Sequence, residues 1–164
     1  MTQHQVFNGI QFIQMGGTID KSYPSNQDNH GYNFVIGDPA SNRILGRAAP
    51  EGSSWSGWIA CLKDSLDLND MDRSLVANYI RQNVARKFVI THGTDTIRQT
   101  GEVLAGYRLD KTIVLTGAMQ PELFRESDAD FNLGMAVAAV RILPPGVYIA
   151  LHANVTTWEE FVSR

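Results

Sequence analysis

Hydroxyl residues recur in this chain where strands are expected to end, each beside glycine or a carboxylate. They are Thr18 after Gly16-Gly17, Ser65 before Leu66-Asp67, Thr94-Asp95 after His92-Gly93, and Thr116-Gly117. A hydroxyl is a weak nucleophile at its ordinary pKa and needs a base beside it. Lysine serves when burial or a neighbouring charge brings its pKa down; Lys111, at the start of a strand, is by default solvated and is a candidate only through its company. Gly16-Gly17 allows backbone conformations closed to other residues and lets a ligand approach the main chain, although a lone GGT is equally a plain tight turn. No G-x-x-x-x-G-K-[ST] or G-x-G-x-x-G supports a phosphate loop, and no G-x-S-x-G elbow supports a serine triad. The four histidines, His4, His30, His92 and His152, lack paired ligand spacing, and the single Cys61 cannot build a thiolate site, so no metal and no cofactor is expected. His92, directly after a strand, reads as a packed, hydrogen-bonded residue.

These groups need elements to position them. Phe88-Val89-Ile90 reads as a buried parallel strand; it runs into the His92-Gly93 turn and then Thr94-Asp95-Thr96 at the head of a helical pattern. Other strands are expected within residues 5–15, over Trp55–Leu62, over Lys111–Gly117, and over Val147–Leu151 ending at His152. A helix capped by Asn69 or Asp70 places Met71, Leu75 and Tyr79, with Val76 and Ile80, on one face. A second runs from about Thr96 to Tyr107. A third, Phe131 to Leu143, is apolar on nearly every face and should be largely buried. Thr157-x-x-Glu160 reads as a capping box opening a terminal helix.

Residues 21–54, rich in Ser, Asn, Gly, Pro and Asp, keep no helical period; Tyr32-Phe34-Ile36 and Arg43-Leu45 read as short strands. So long an irregular stretch is usually functional or mobile. A lid that carries Tyr23 over the cleft is the functional reading. Strands alternating with helices predict an α/β fold with a mostly parallel sheet and right-handed crossovers. Ligands bind such sheets at the carboxyl ends of the strands, where the hydroxyl residues gather.

Composition narrows the classes. At 164 residues, with 43% hydrophobic and 19% charged residues, the chain is ordinary for one globular domain. A net charge of −3 argues against a nucleic-acid or anionic-membrane partner. One cysteine fits a reducing compartment, and the first residues lack a signal-peptide pattern. No apolar run reaches membrane-spanning length. The expected location is cytoplasmic.

The set GGTID (16–20), SLDLND (65–70), THGTDT (91–96), DKTIVLTGAM (110–119) and SDADFNLGMAV (127–137) resembles the bacterial-type L-asparaginase family, in this order and across most of the chain. The chain is similar to that family's flavodoxin-like N-terminal domain, a three-layer α/β fold, and to its short members lacking the C-terminal domain. The resemblance implies one catalytic domain over 1–164, with 21–54 as the lid region. It also implies that Thr18 attacks the side-chain amide of asparagine, that ammonia leaves, and that water hydrolyses the acyl-enzyme. By the same resemblance Tyr23 assists the nucleophile, and Thr94, Asp95 and Lys111 form a second triad in which the lysine polarises the threonine. Ser65 and Asp95 would hold the α-carboxylate and α-amino groups. Backbone amides near Thr94 and Ala118 would stabilise the oxyanion, with Gly17 lining the pocket. Met15 stands where the family usually has threonine, and Gln120 where it often has arginine; neither is a catalytic position. A homo-oligomer, dimer or tetramer, is implied as well.

Two other readings stay open. An amidase or amidotransferase component would act on a larger substrate such as an aminoacyl-tRNA, against which the acidic balance and the lack of a basic tract weigh. A non-catalytic amino-acid-binding domain would keep the fold without turnover, against which the retention of Thr18, Ser65, Thr94, Asp95 and Lys111 argues.

Overall fold

The computed structural model describes residues 9–24, 33–49 and 53–162. Its centre is a six-stranded sheet made of β1 (Ile10–Gly16), β4 (Trp55–Lys63), β5 (Lys87–Thr91), β6 (Thr112–Thr116), β7 (Gly146–Leu151) and β8 (Asn154–Thr157). The order is β4-β1-β5-β6-β7-β8; the first five strands are parallel, and β8 pairs antiparallel with β7. A small hairpin of β2 (Lys21–Ser22) and β3 (Val35–Ile36) stands apart from it.

Every residue of β1 is buried because β4 and β5 flank it and helices cover both faces. That explains the imperfect alternation of its sequence. Gln11 and Gln14 sit inside, the latter donating from Nε2 to the Gly37 carbonyl at 2.9 Å. On one face, α2 (Asp70–Gln82) and α3 (Ile97–Gly106) pack Val76, Ala77, Ile80, Ile97 and Leu104 against Ile13, Phe88, Ile90 and Leu115. On the other, α1 (Ala40–Ala48) and α4 (Ala129–Ile142) pack Ala40, Ile44, Leu133, Ala136 and Val140 against Phe12, Val89 and Val114. The result is the expected three-layer α/β architecture. No helix among the described residues is long and apolar enough to cross a membrane.

Two expectations are corrected. Arg43-Leu45 is not a strand but lies inside α1, within the segment that shows no helical period in sequence. The helix starts after Pro39, which offers no side-chain cap, and its first amide is capped from afar by Asp20. The segment's other strand candidate survives only as Val35–Ile36, and Tyr32 falls outside the described residues. The terminal helix is also replaced. Thr157 Oγ1 does bond Glu160 Oε2 at 2.9 Å, but residues 154–157 form β8 and a turn follows. His152 and Ala153, both at positive φ, make the tight link between β7 and β8.

Candidate active site

The connection leaving β1 runs toward β4, while the connection leaving β5 runs toward β6. These neighbouring strands therefore send their chains in opposite directions, and the crevice beyond their carboxyl ends is the switch point of the sheet, where α/β folds bind ligands. Thr18 follows β1 and Thr94 follows β5.

Glycines let the two ends close on each other. Gly17 sits at φ 89°, ψ −178°, a conformation open essentially to glycine alone, and a Cβ there would overlap the backbone of Gly93 and come within 2.7 Å of the His92 carbonyl carbon. A Cβ on Gly93 would lie 2.6 Å from Ser65 Cβ. One on Gly117 would overlap the His92 carbonyl oxygen. Four chain ends, at Gly17, Ser65, Gly93 and Gly117, thus meet with their backbones nearly touching, and Thr18, Thr94 and Ala118 stand beside them.

Ser65 is buried, with Oγ 3.5 Å from Asp95 Oδ2, while Asp95 itself is exposed. Thr96 Oγ1 donates to the Ser65 carbonyl at 2.8 Å and ties the two loops together. Thr18 and Thr94 are both half-buried, and neither hydroxyl bonds a described residue. By contrast, the hydroxyls of Thr91, Thr96, Thr100, Thr112 and Thr116 are all committed to neighbours.

His92 is buried and fully bonded, as the sequence suggests. Its Nδ1 donates to the Gly93 carbonyl at 2.7 Å, so Nε2 accepts from Thr100 Oγ1 at 2.7 Å. Burial pushes its pKa down to about 4, with the charge of Arg73 adding to the effect and the Gly93 bond opposing it. Neither nitrogen is free to act as a base.

Lys111 is a correction. Lys87 pairs with Thr112 and Thr91 with Thr116, so Lys111 stands at the amino end of β6, across the length of the sheet from Thr94. At about 3.3 Å per residue the separation is roughly 15 Å. Its Nζ instead donates to the carbonyl oxygens of Asn83 and, at 2.7 Å, Ala85, and lies over the Phe88 ring. Burial, with Arg86 nearby, pushes its pKa down, the direction a catalytic lysine needs, but the group is committed to the wrong edge. Tyr23 is exposed; its ring centroid lies 5.1 Å from that of Phe34, and it makes no hydrogen bond to Thr18.

Several supporting residues were not singled out from sequence. Asp20 is fully buried and accepts from Thr91 Oγ1 at 3.1 Å and from the Ala40 amide at 2.7 Å. Arg73, also buried, donates to Thr100 Oγ1, the Leu68 carbonyl, Thr96 Oγ1 and Gln99 Oε1, bracing the loop that carries Thr94. Asp128 accepts from the amides of Met119 and Gln120, and Asn132 Nδ2 bonds both Asp128 and the Gly117 carbonyl, shaping the turn around Ala118. Only the last pair leaves a sequence trace, the i,i+4 spacing of Asp128 and Asn132 at a helix start.

Residues 9–160 match the family model described as asparaginase, N-terminal. A probable periplasmic L-asparaginase of Haemophilus influenzae is 38% identical over 159 residues, covering 89% of this chain and 43% of that protein. One component of the glutamyl-tRNA(Gln) amidotransferase of Methanococcus vannielii is 36% identical over 108 residues, 59% of this chain and 25% of that protein. Among solved structures, a probable cytoplasmic L-asparaginase from Campylobacter jejuni superposes with a TM-score of 0.77 at 27% identity, over 94% of this chain and 49% of that one. The chain spans less than half the length of these three proteins.

Proposed function

We propose, from the premise that this chain belongs to the asparaginase family, that it is an amidohydrolase cleaving the side-chain amide of asparagine to aspartate and ammonia. One observation carries the reading: Thr18 and Thr94, far apart in sequence, flank the switch point with hydroxyls uncommitted among the described residues, while the threonines around them are tied down. Thr18 Oγ attacks the carboxamide carbon and its proton passes to the leaving nitrogen. The C–N bond breaks to release ammonia, and water then adds to the acyl-threonine, freeing aspartate and returning a proton to Thr18 Oγ. Thr94 faces the same crevice and orients the attacking water. Ser65 and Asp95, 3.5 Å apart, take the α-carboxylate and the α-amino group. Backbone amides near Thr94 and Ala118 face the developing oxyanion. Tyr23 assists when the hairpin carrying it bends over Thr18. Lys111 has no part.

The relation to the Methanococcus vannielii amidotransferase component favours one second reading, an amidase component working on an aminoacyl-tRNA; the net charge of −3 weighs against it. The test is ammonia release by the purified protein from asparagine, from glutamine, and from glutamine with charged tRNA. Turnover of asparagine alone supports the first reading. Release that requires the tRNA transfers the assignment to the second, and binding of asparagine without release leaves an amino-acid-binding domain. The proposal includes a cytoplasmic location and a homo-oligomer, dimer or tetramer, in which a second copy of the chain narrows the open edge. A fully active monomer in sedimentation would contradict the latter.

A further inference from the structure

We propose that Asp20 is a positioning residue whose carboxylate clamps the turn bearing Thr18 to the end of β5 and to the start of α1. The inference rests on Thr18 being the nucleophile, as above, but its geometry stands by itself. Thr18, Ile19 and Asp20 form a single 3-10 turn, so whatever fixes Asp20 fixes Thr18 two residues away. Asp20 accepts from Thr91 Oγ1, one residue before His92 in the opposite arm of the crevice, and from the Ala40 amide, the first of α1. It therefore supplies the cap that Pro39 cannot and joins three segments distant in sequence. The hairpin with Tyr23 leaves directly after Asp20 and returns through Gly37, whose amide bonds the Asp20 carbonyl at 2.9 Å. Both ends of the hairpin are thus fastened to one residue.

A carboxylate at 0% exposure is an expensive choice for a bracket. Burial pushes its pKa up to about 6, against the bonds from Ala40, Gln14 and Thr91 and the charge of Arg43, all of which favour the ionised form. The surrounding groups leave that balance to Asp20. From α1 comes Arg43, held by Glu122 of the loop after β6. On β2, Lys21 is paired with Asp64 at 3.0 Å. The connection into α1 holds Asp38, whose carbonyl bonds Arg43. β1 offers the neutral Gln14, and β5 leads into His92, which stays neutral. The ionised carboxylate accepts from both donors at once; protonation turns one oxygen into a donor, so the Thr91 hydroxyl must reverse to accept from it and the joint that sets the Thr18 turn is remade.

The test uses the intact protein, with Asp20→Asn and Thr91→Val as variants. With asparagine as substrate, the wild type should lose kcat as pH falls through about 6 while KM moves little. D20N, an isostere without the charge, should show a kcat about tenfold or more lower at pH 8, in the range expected of misplaced reacting groups, and no limb near pH 6. Its melting temperature should not drop. T91V removes one stabilising donor and should move the limb upward by about one pH unit. A D20N protein that keeps the wild-type rate, or still loses rate through pH 6, overturns the proposal, and so does an unmoved limb in T91V. Amide protection factors at Ile19, Asp20 and Ala40 run the same test without turnover. Because the closed site holds the Asp20 proton more tightly than an opened, solvated one, protection should rise as pH falls through about 6 in the wild type but not in D20N, and protection unchanged across that range in the wild type overturns the clamp. A protein that releases no ammonia at any pH sinks the hydrolase reading alone, and the protection factors then decide the clamp.

Discussion

The turn carrying Thr18 and the loop carrying Thr94 meet at one crevice but are held by opposite means. The Thr94 loop rests on a neutral imidazole, a buried guanidinium and hydroxyls: His92 bonds Gly93 and Thr100, Arg73 reaches Thr100 and Thr96, and Thr96 reaches Ser65. The imidazole stays uncharged down to about 4. The Thr18 turn instead hangs on a buried carboxyl that changes charge near pH 6. One arm is therefore fixed across the usual pH range and the other is adjustable, and the adjustable arm is the one joined to the hairpin of β2 and β3.

The harshest way to test this division of labour is to remove each arm's reacting group. Thr18→Ala should cost more than the roughly 10²- to 10⁴-fold that general base catalysis supplies, measured as ammonia release, with the melting curve unchanged. Thr94→Ala should be similarly inactive while still binding aspartate. If T18A keeps most of the rate, the two arms have been given the wrong parts.

Next in size comes the backbone contact that brings the arms together. Gly17→Ala adds a Cβ where the Gly93 backbone already lies and at a φ that alanine avoids. Strain and overpacking together cost roughly 3 kcal/mol or more, read as a fall in urea midpoint or as insoluble protein. A G17A variant as stable as the wild type would mean the strand ends are not in contact.

The pH contrast gives a third, smaller effect with a defined sign. A folded-state pKa of about 6 for Asp20, against an ordinary 3.8, means the folded protein binds that proton more tightly, so stability falls as pH rises from about 4 to about 6. His92 runs the other way: with a folded pKa of about 4 against 6.5, its contribution is lost as pH falls from about 6.5 to about 4. Each amounts to roughly 3 kcal/mol, and over the shared window they oppose each other. Asp20→Asn should therefore be more stable than the wild type at pH 7.5 and should lose stability on acidification, which the wild type barely does. Denaturant titrations at pH 7.5 and 5 read both; a destabilised D20N at pH 7.5 would erase the distinction between the arms.

The strand, turn and helix start of the Thr94 arm were legible in sequence because those determinants are local, whereas its brace from Arg73 was not. Phe88-Val89-Ile90 marks the strand, His92-Gly93 the turn, and Asn69 caps α2 with Asp72 completing the box within four residues. The Thr18 arm was not, because its fixings are remote. The cap of α1 comes from Asp20, and Arg43 and Arg47 of that helix anchor to Glu122. Burial pushes the pKa of Glu122 up, but the two arginine bonds outweigh it and hold the carboxyl below its usual range. No window along the chain contains both ends of such bonds. The C-terminal capping box was chemically right and architecturally wrong: its bonds form, but β7 recruits residues 154–157 as a strand.

Lys111 gives the smallest expected effect and the sharpest check on how the edges of the sheet are assigned. The spacing K-x-x-x-L-T-G invites grouping the lysine with the glycine, yet in an extended strand those residues mark opposite ends. At its end Lys111 links the carbonyls of Asn83 and Ala85, just past the end of α2, to the start of β6. Lys111→Met keeps the aliphatic stem and removes the ammonium that bonds the two carbonyls and lies over the Phe88 ring. Two carbonyl bonds from a partly exposed ammonium are worth about 1 kcal/mol or a little more, so a few degrees should be lost from the melting temperature, while kcat and KM for asparagine stay within about twofold because the crevice lies roughly 15 Å away. A K111M protein that folds normally but has lost its ammonia release would put a lysine back beside Thr94, and with it would fall the parallel register of β5 and β6 on which both arms are placed.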